Sequence, residues 1–102
     1  MEPRLPTDDD TNIFFDGVVL KLQYELGCSE GEASKLVHQY YSFFTDKKSC
    51  ESIGVPVQDD DFFFHESVGG MILRIYYYLI LKKDPDPHAF VEWRASLHRR
   101  EK

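Results

Sequence analysis

The feature that most constrains this chain is a capped and unbroken helical pattern in its first half. Ser29 and Glu32 occupy the two positions of a capping box, in which each side chain bonds the other residue's backbone N–H. Apolar residues then recur at three- and four-residue steps, at Ala33, Leu36, Val37, Tyr40, Phe43 and Phe44. This spacing puts them on one face of a helix. The pattern therefore predicts a buried helix, and no stretch of the chain demands a sheet.

Three further helices are predicted from the rest of the chain. The first runs from near Asn12 to a stop at Gly27, on apolar spacing at Ile13, Phe14, Gly17, Leu20 and Tyr24. The third occupies some or all of residues 61–82. The fourth begins at Asp86-Pro87, an N-cap followed by a proline at the first helical position, and its inward stripe is Phe90, Trp93 and Leu97.

These elements predict an all-α fold. At 102 residues the chain has room for one compact four-helix domain, which we assign to residues 12–102. Residues 1–11, with two prolines and three consecutive aspartates, are expected to form a flexible acidic tail. A long loop, residues 46–61, should separate helices two and three. The tight DPDP connection before the last helix predicts that helices three and four are antiparallel neighbours.

The charge of the chain is unevenly placed. The net charge is -6, and residues 1–81 carry six basic against fourteen acidic side chains. An acidic body of this kind repels nucleic acid and anionic membranes and attracts basic proteins. The short basic end, Arg99, Arg100 and Lys102, leaves nucleic-acid binding only as a minor alternative, because neutralising the nucleic-acid backbone needs a broad basic surface. We therefore expect a basic protein partner, with no nucleic acid and no membrane.

The first residues lack the features of an export signal, and the most apolar run, residues 68–81, is shorter than a bilayer crossing. A cytoplasmic location is therefore expected. Cys28 and Cys50 are far apart in sequence, and two free thiols are the expected state in a reducing compartment.

Residues 59–66, DDDFFFHE, have the most unusual local composition. Asp59, Asp60 and Asp61 put negative charge where a helix start exposes N–H groups. Consecutive helical residues lie about 100° apart, so the three phenylalanines that follow cannot all enter one core. At least one must lie on another face, either covered by the preceding loop or presented to a partner.

Residues 59–66 do not match a known metal motif. A zincin helix needs a second histidine four residues after His65, where the chain has Gly69, and the aspartate spacing does not match a calcium loop. No metal, no cofactor and no catalytic set are expected, although His65 and Glu66 could form an acid–base pair.

Arg74 and Arg94 are expected to be buried beside apolar residues. A buried guanidinium must be paired, so the pattern predicts ion pairs that hold the third helix to the fourth. The alternative is a polar cleft in which Arg74 and the tyrosines receive an anionic ligand. Tyr76, Tyr77 and Tyr78 splay around the helix, and at least one hydroxyl should reach the surface as a protein-binding anchor.

The chain resembles the small acidic immunity proteins that neutralise nuclease colicins, which are four-helix cytoplasmic proteins. The similar residues are the Ser29–Glu32 helix start, a tyrosine pair within residues 76–78, and EWRA at residues 92–95. In that family, acidic residues of the second helix and tyrosines of the third bind the basic toxin domain. The resemblance therefore implies Tyr76 and Tyr77 as partner contacts.

The leading functional hypothesis is an acidic protein-binding module, most concretely an immunity-type inhibitor of a basic toxin or nuclease, and not an enzyme. Its predicted partner-binding residues are Asp59, Asp60, Asp61, Phe63, Glu66, Tyr76 and Tyr77. One alternative is a self-associating structural or regulatory subunit, with a homodimer as the assembly. Another is a small enzyme or ligand-binding protein built around Arg74, His65 and Glu66.

Overall fold

Helices make up the regular secondary structure of the described part of the chain, which has no strand. The structure is a computed structural model that describes residues 5–100, with side chains through residue 97. Its helices are α1 (Asp9–Leu26), α2 (Glu30–Phe44), α3 (Lys47–Ile53), α4 (Asp60–His65), α5 (Val68–Ile75) and α6 (Pro87–Arg100). A π-helical turn, Tyr76–Ile80, continues α5. The all-α prediction is confirmed for the described residues. Outside the description lie residues 1–4 of the predicted tail and the side chains of the predicted basic end, Arg99, Arg100 and Lys102.

The number of helices differs from the prediction, with six α-helices in residues 5–100 where the sequence predicted four. The predicted loop contains α3, because Asp46 accepts a hydrogen bond from the Ser49 N–H and Gly54 ends the helix at a φ of 73°. The predicted third helix is broken at Glu66, whose backbone is extended, and restarts behind the Ser67 cap. The predictions of four helices and of a loop over the whole of residues 46–61 are therefore not confirmed.

The core face of α1 is not the one that its periodicity indicated. Phe15, Val18 and Leu22 are buried where α1 packs against α2 and α5. The regularly spaced Ile13, Leu20 and Tyr24 instead point to solvent. Helical spacing predicts that residues share a face, but it does not say which face the neighbouring helices will cover.

The chain before α1 is packed onto it. The helix begins at Asp9, three residues before the predicted start, because the Asp8 side chain caps it at the Thr11 N–H. Asn12 is buried, and its side-chain amide accepts from the Leu5 N–H and donates to the Leu5 carbonyl. Leu5 itself is a buried member of the core. Residues 5–8 are thereby held close to the start of the helix.

The predictions for α2 and α6 agree with the structure. The capping box of Ser29 and Glu32 is present, and α6 begins at Pro87. Tyr76 contacts Trp93 and Tyr78 contacts Phe90, so α6 runs antiparallel to the helix before it. The π-helical turn before the connection is closed by a 2.8 Å bond from the Leu81 N–H to the Tyr76 carbonyl.

Candidate functional site: an acidic–aromatic cleft

The starts of α1 and α4 meet at one edge of the molecule. The Thr7 hydroxyl donates a 2.7 Å hydrogen bond to Asp60, and the Phe15 and Phe63 rings pack edge to face beneath, with centroids 5.1 Å apart. Between the two helix starts lies a cleft of about 250 Å³, which we call the acidic–aromatic cleft. It is lined by Asp8, Asp10, Thr11, Phe14, Asp60, Phe63 and Phe64.

The residues that line this cleft include carboxylates and no Lys, Arg or His. Hydrogen bonds from the backbone N–H and side chain of Thr11 hold the pKa of Asp8 below its ordinary value, so Asp8 stays charged in mild acid. Asp59 sits beside the cleft as the N-cap of α4 and accepts from the Phe62 N–H at 3.0 Å. The cleft thus presents fixed negative charge around aromatic surface, which suits a cationic group on an apolar stem.

The three phenylalanines of α4 have three different environments. Phe63 is 1% exposed and belongs to the core, Phe62 is half-buried, and Phe64 is 80% exposed at the mouth of the cleft. The prediction that at least one of them lies outside the core is confirmed. The choice of Phe63 as a partner anchor is wrong, because its ring is covered by Phe15 and Tyr41. Phe64 is the exposed ring that a partner can contact.

The predicted steering residue Glu66 is engaged inside the protein. Its side chain is largely buried, and Oε2 accepts from Arg74 Nε at 2.6 Å while Oε1 accepts from the Ser67 N–H. Gly70 makes room for it, because a Cβ at Gly70 would collide with the Glu66 carboxylate. Glu66 therefore pairs with a largely buried arginine and is not available for a partner, which corrects the prediction.

The predicted contact Tyr77 is also internal. Its ring is buried against Phe90 and Trp93, and its hydroxyl donates to the Asp84 carbonyl at 2.6 Å. Burial raises the pKa of this phenol, with the nearby Asp84 carboxylate as the next cause. Tyr77 therefore does not act as a surface anchor. Tyr76 is half-buried and stacks on Trp93, with its ring facing a groove.

Among the described residues, neither arginine holds the third predicted helix to the fourth through an ion pair. Arg74 pairs with Glu66 just before its own helix, and its guanidinium lies 4.9 Å from the Phe62 ring centroid and 4.7 Å from that of Phe90. Arg94 and Phe90 both belong to α6, and the Arg94 guanidinium lies 5.2 Å from the Phe90 centroid. The Arg74–Phe90 cation–π contact therefore joins α5 to α6, where an ion pair was predicted.

The remaining polar candidates in the described residues are one exposed pair and two free thiols. Asp61 and His65 are both highly exposed and one helical turn apart, with Oδ1 and Nε2 separated by 3.7 Å. Cys50 is buried, its pKa raised by burial, and its thiol donates to the Phe44 carbonyl, while Cys28 is half-buried. Within the described residues, no three His, Cys, Asp or Glu side chains are grouped as metal ligands.

A second concave surface lies between α1, α5 and α6. It has a volume of about 450 Å³, with Lys21 and Glu25, which pair at 3.4 Å, at its edge. Its walls are mainly apolar, from Leu26, Ile72, Leu73, Tyr76, Trp93 and Leu97. We call it the α1–α6 groove. The sequence singled out Tyr76 here but not the groove, because the groove forms from residues more than 60 positions apart.

The sequence and the structure were also compared with known proteins. No family model, curated protein or solved structure matches this chain. Among residues 5–100, no helix combines the length and the apolar content that crossing a bilayer requires.

Proposed function

We propose that this chain is a small cytoplasmic protein-binding module that holds a basic protein at its acidic–aromatic cleft. The most concrete form of the proposal is an immunity- or antitoxin-type inhibitor of a basic toxin or nuclease. The single observation that carries it is the 80% exposure of Phe64 beside the carboxylates of Asp8, Asp10 and Asp60. An exposed aromatic ring surrounded by like charges favours partners with complementary positive charge.

The two kinds of residue in the cleft have different roles in this proposal. The aspartates attract a cationic partner from a distance and raise the association rate, an effect that salt weakens. Phe64 supplies apolar area that becomes buried only in the complex. Its loss should therefore raise the dissociation rate at any salt concentration.

The test begins with capture and purification of a partner. Calorimetry then measures how tightly the partner binds each variant of this protein. A separate assay measures the toxin or nuclease activity of the partner with and without this protein. Phe64→Ala should weaken binding about tenfold or more, and Asp60→Asn with Asp61→Asn should reduce the salt dependence. Val91→Ala is the matched control, because Val91 is 51% exposed on α6, remote in sequence from the cleft. An acidic partner, or full affinity in Phe64→Ala, would contradict the proposal.

A self-associating subunit is the second candidate, and the exposed apolar residues of α1 favour it. Two copies could bury Ile13, Leu20 and Tyr24 against each other. Light scattering at micromolar concentration distinguishes the two functions. If the protein is monomeric at that concentration, self-association is excluded.

A further inference from the structure

The exposed face of α1 carries a line of large apolar side chains. Ile13 is 64% exposed, Leu20 69% and Tyr24 88%. Their separations of seven and four residues place them along one side of the helix, over about 16 Å at the helical rise of 1.5 Å per residue. Single exposed apolar residues are ordinary, but three in one row form a surface that a partner helix can cover. We call it the α1 stripe.

Charge is distributed unequally along α1. The first half of the helix contains Asp10 and Asp16, whereas Lys21 and Glu25 near the end form an i, i+4 pair that carries no net charge. The acidic end of the helix also forms one wall of the acidic–aromatic cleft, through Asp10 and Phe14. The α1 stripe therefore lies on a helix whose acidic end borders the cleft and whose other end is neutral.

We propose that the α1 stripe binds a basic amphipathic helix of about three turns, with its cationic residues concentrated at the acidic end of α1. This inference rests on the proposed function and specifies that the part of the basic partner bound here is a helix. Charge complementarity selects this occupant over a second copy of the chain, since two copies would bring a net charge of -6 against another of -6.

The test uses a synthetic 18-residue amphipathic peptide with leucines at helical spacing and lysines beside them, and a peptide of the same composition in scrambled order. Methyl NMR of the full chain should show the peptide shifting the resonances of Ile13 and Leu20. Leu20→Ser should weaken binding about tenfold, the expected effect of losing one buried leucine side chain. Val91→Ser is the matched control and should bind as the wild type does.

Several outcomes would overturn the inference. They are equal binding of the scrambled peptide, methyl shifts confined to Thr11 at the cleft, or unchanged affinity in both Leu20→Ser and a second variant, Tyr24→Ser. A wild-type dimer that Leu20→Ser dissociates in light scattering would identify a second copy as the occupant and would also overturn it. Circular dichroism melts of each variant show whether it is folded, and the substituted residues are exposed in the free chain.

The proposed function and this inference fail in different ways. If binding of the natural partner requires Phe64 but not Leu20, the cleft is supported as the binding site and the α1 stripe is excluded. If the partner depends on Leu20 but not on Phe64, the helix inference stands and the cleft assignment fails.

Discussion

The chain contains two aromatic triplets, Phe62–Phe64 and Tyr76–Tyr78, and the fold treats them differently. In the tyrosine triplet, Tyr77 is buried and the other two are half-buried, because α6 lies over all three with Phe90 and Trp93. In the phenylalanine triplet, α4 is six residues long, and Phe64 remains 80% exposed at its outer side. Three consecutive rings can be covered only where a second element brings rings to meet them.

The two triplets are joined by one side chain. The Arg74 guanidinium lies between the Phe62 and Phe90 rings while it pairs with Glu66. The phenylalanine triplet is thus tied on its inner side to the helix that covers the tyrosine triplet. Only Phe64 is left out of this cluster.

The largest expected effect comes from removing the central ring of either triplet. Phe63→Ala and Tyr77→Ala should each lower the free energy of unfolding by about 3–5 kcal/mol, because each leaves a cavity among buried aromatic neighbours. Urea unfolding followed by circular dichroism measures both. A loss below about 1 kcal/mol in one of them would mean that this triplet is not packed as described.

A smaller effect is expected where the two triplets are joined. Gly70→Ala should lower the free energy of unfolding by about 1–3 kcal/mol, because the new methyl group displaces the Glu66 carboxylate from Arg74. Gly69→Ala is the matched control. A Cβ there meets no atom within 4 Å, so the higher helix propensity of alanine should leave stability unchanged or slightly raised. Equal effects of the two substitutions would exclude a tight approach at Gly70.

Of the two triplets, only the tyrosine triplet titrates at alkaline pH. Burial also raises the pKa of Tyr40 and of Cys50, which therefore add to the loss of stability there. Burial raises the pKa of Tyr77 and of Tyr78 above the ordinary value of 10.0, so the folded state holds these protons more tightly than the unfolded state. Their contribution to stability is therefore present below pH 10 and is lost as the pH rises through the raised pKa values. Urea unfolding from pH 8 to 11 should show this decline, and Tyr78→Phe should make it shallower. An identical decline in the variant would refute the assignment.

The smallest effect on stability is expected at the exposed ring. Phe64→Ala should change the free energy of unfolding by less than about 0.5 kcal/mol, the range for surface substitutions. In the same urea assay, Phe63→Ala should cause a large loss of unfolding free energy and Phe64→Ala almost none, although the two residues are adjacent. A loss above about 2 kcal/mol would show that Phe64 is part of the folded core, and it would remove the basis for the cleft as a docking site.

The parts of the fold that follow from local chemistry were predictable from sequence. The capping box of Ser29 and Glu32 and the proline start of α6 depend on residues within one turn of each other. The short α3 has equally local signals, since Asp46 and Gly54 bound it. It was missed because seven residues are too few for an apolar period to stand out.

The candidate site depends on distant contacts, and these were less predictable. Whether Phe63 or Phe64 enters the core is decided by Phe15 and Tyr41, which approach from other helices. The same holds for α1, whose most regular apolar row faces outward because α2 and α5 cover the adjacent side. Spacing groups residues into faces, and only the tertiary arrangement says which face is left open.

The π-helical turn at Tyr76–Ile80 lets this helix accommodate one residue more than ordinary winding would. A π-helical turn holds one more residue than an α-helical one, so the segments before and after it keep the faces that an uninterrupted α-helix would give them. Deleting one residue here would therefore restore ordinary winding while the flanking side chains stay on the same faces. Loops ordinarily absorb changes in chain length, but in this protein a single-residue change can be absorbed inside a helix.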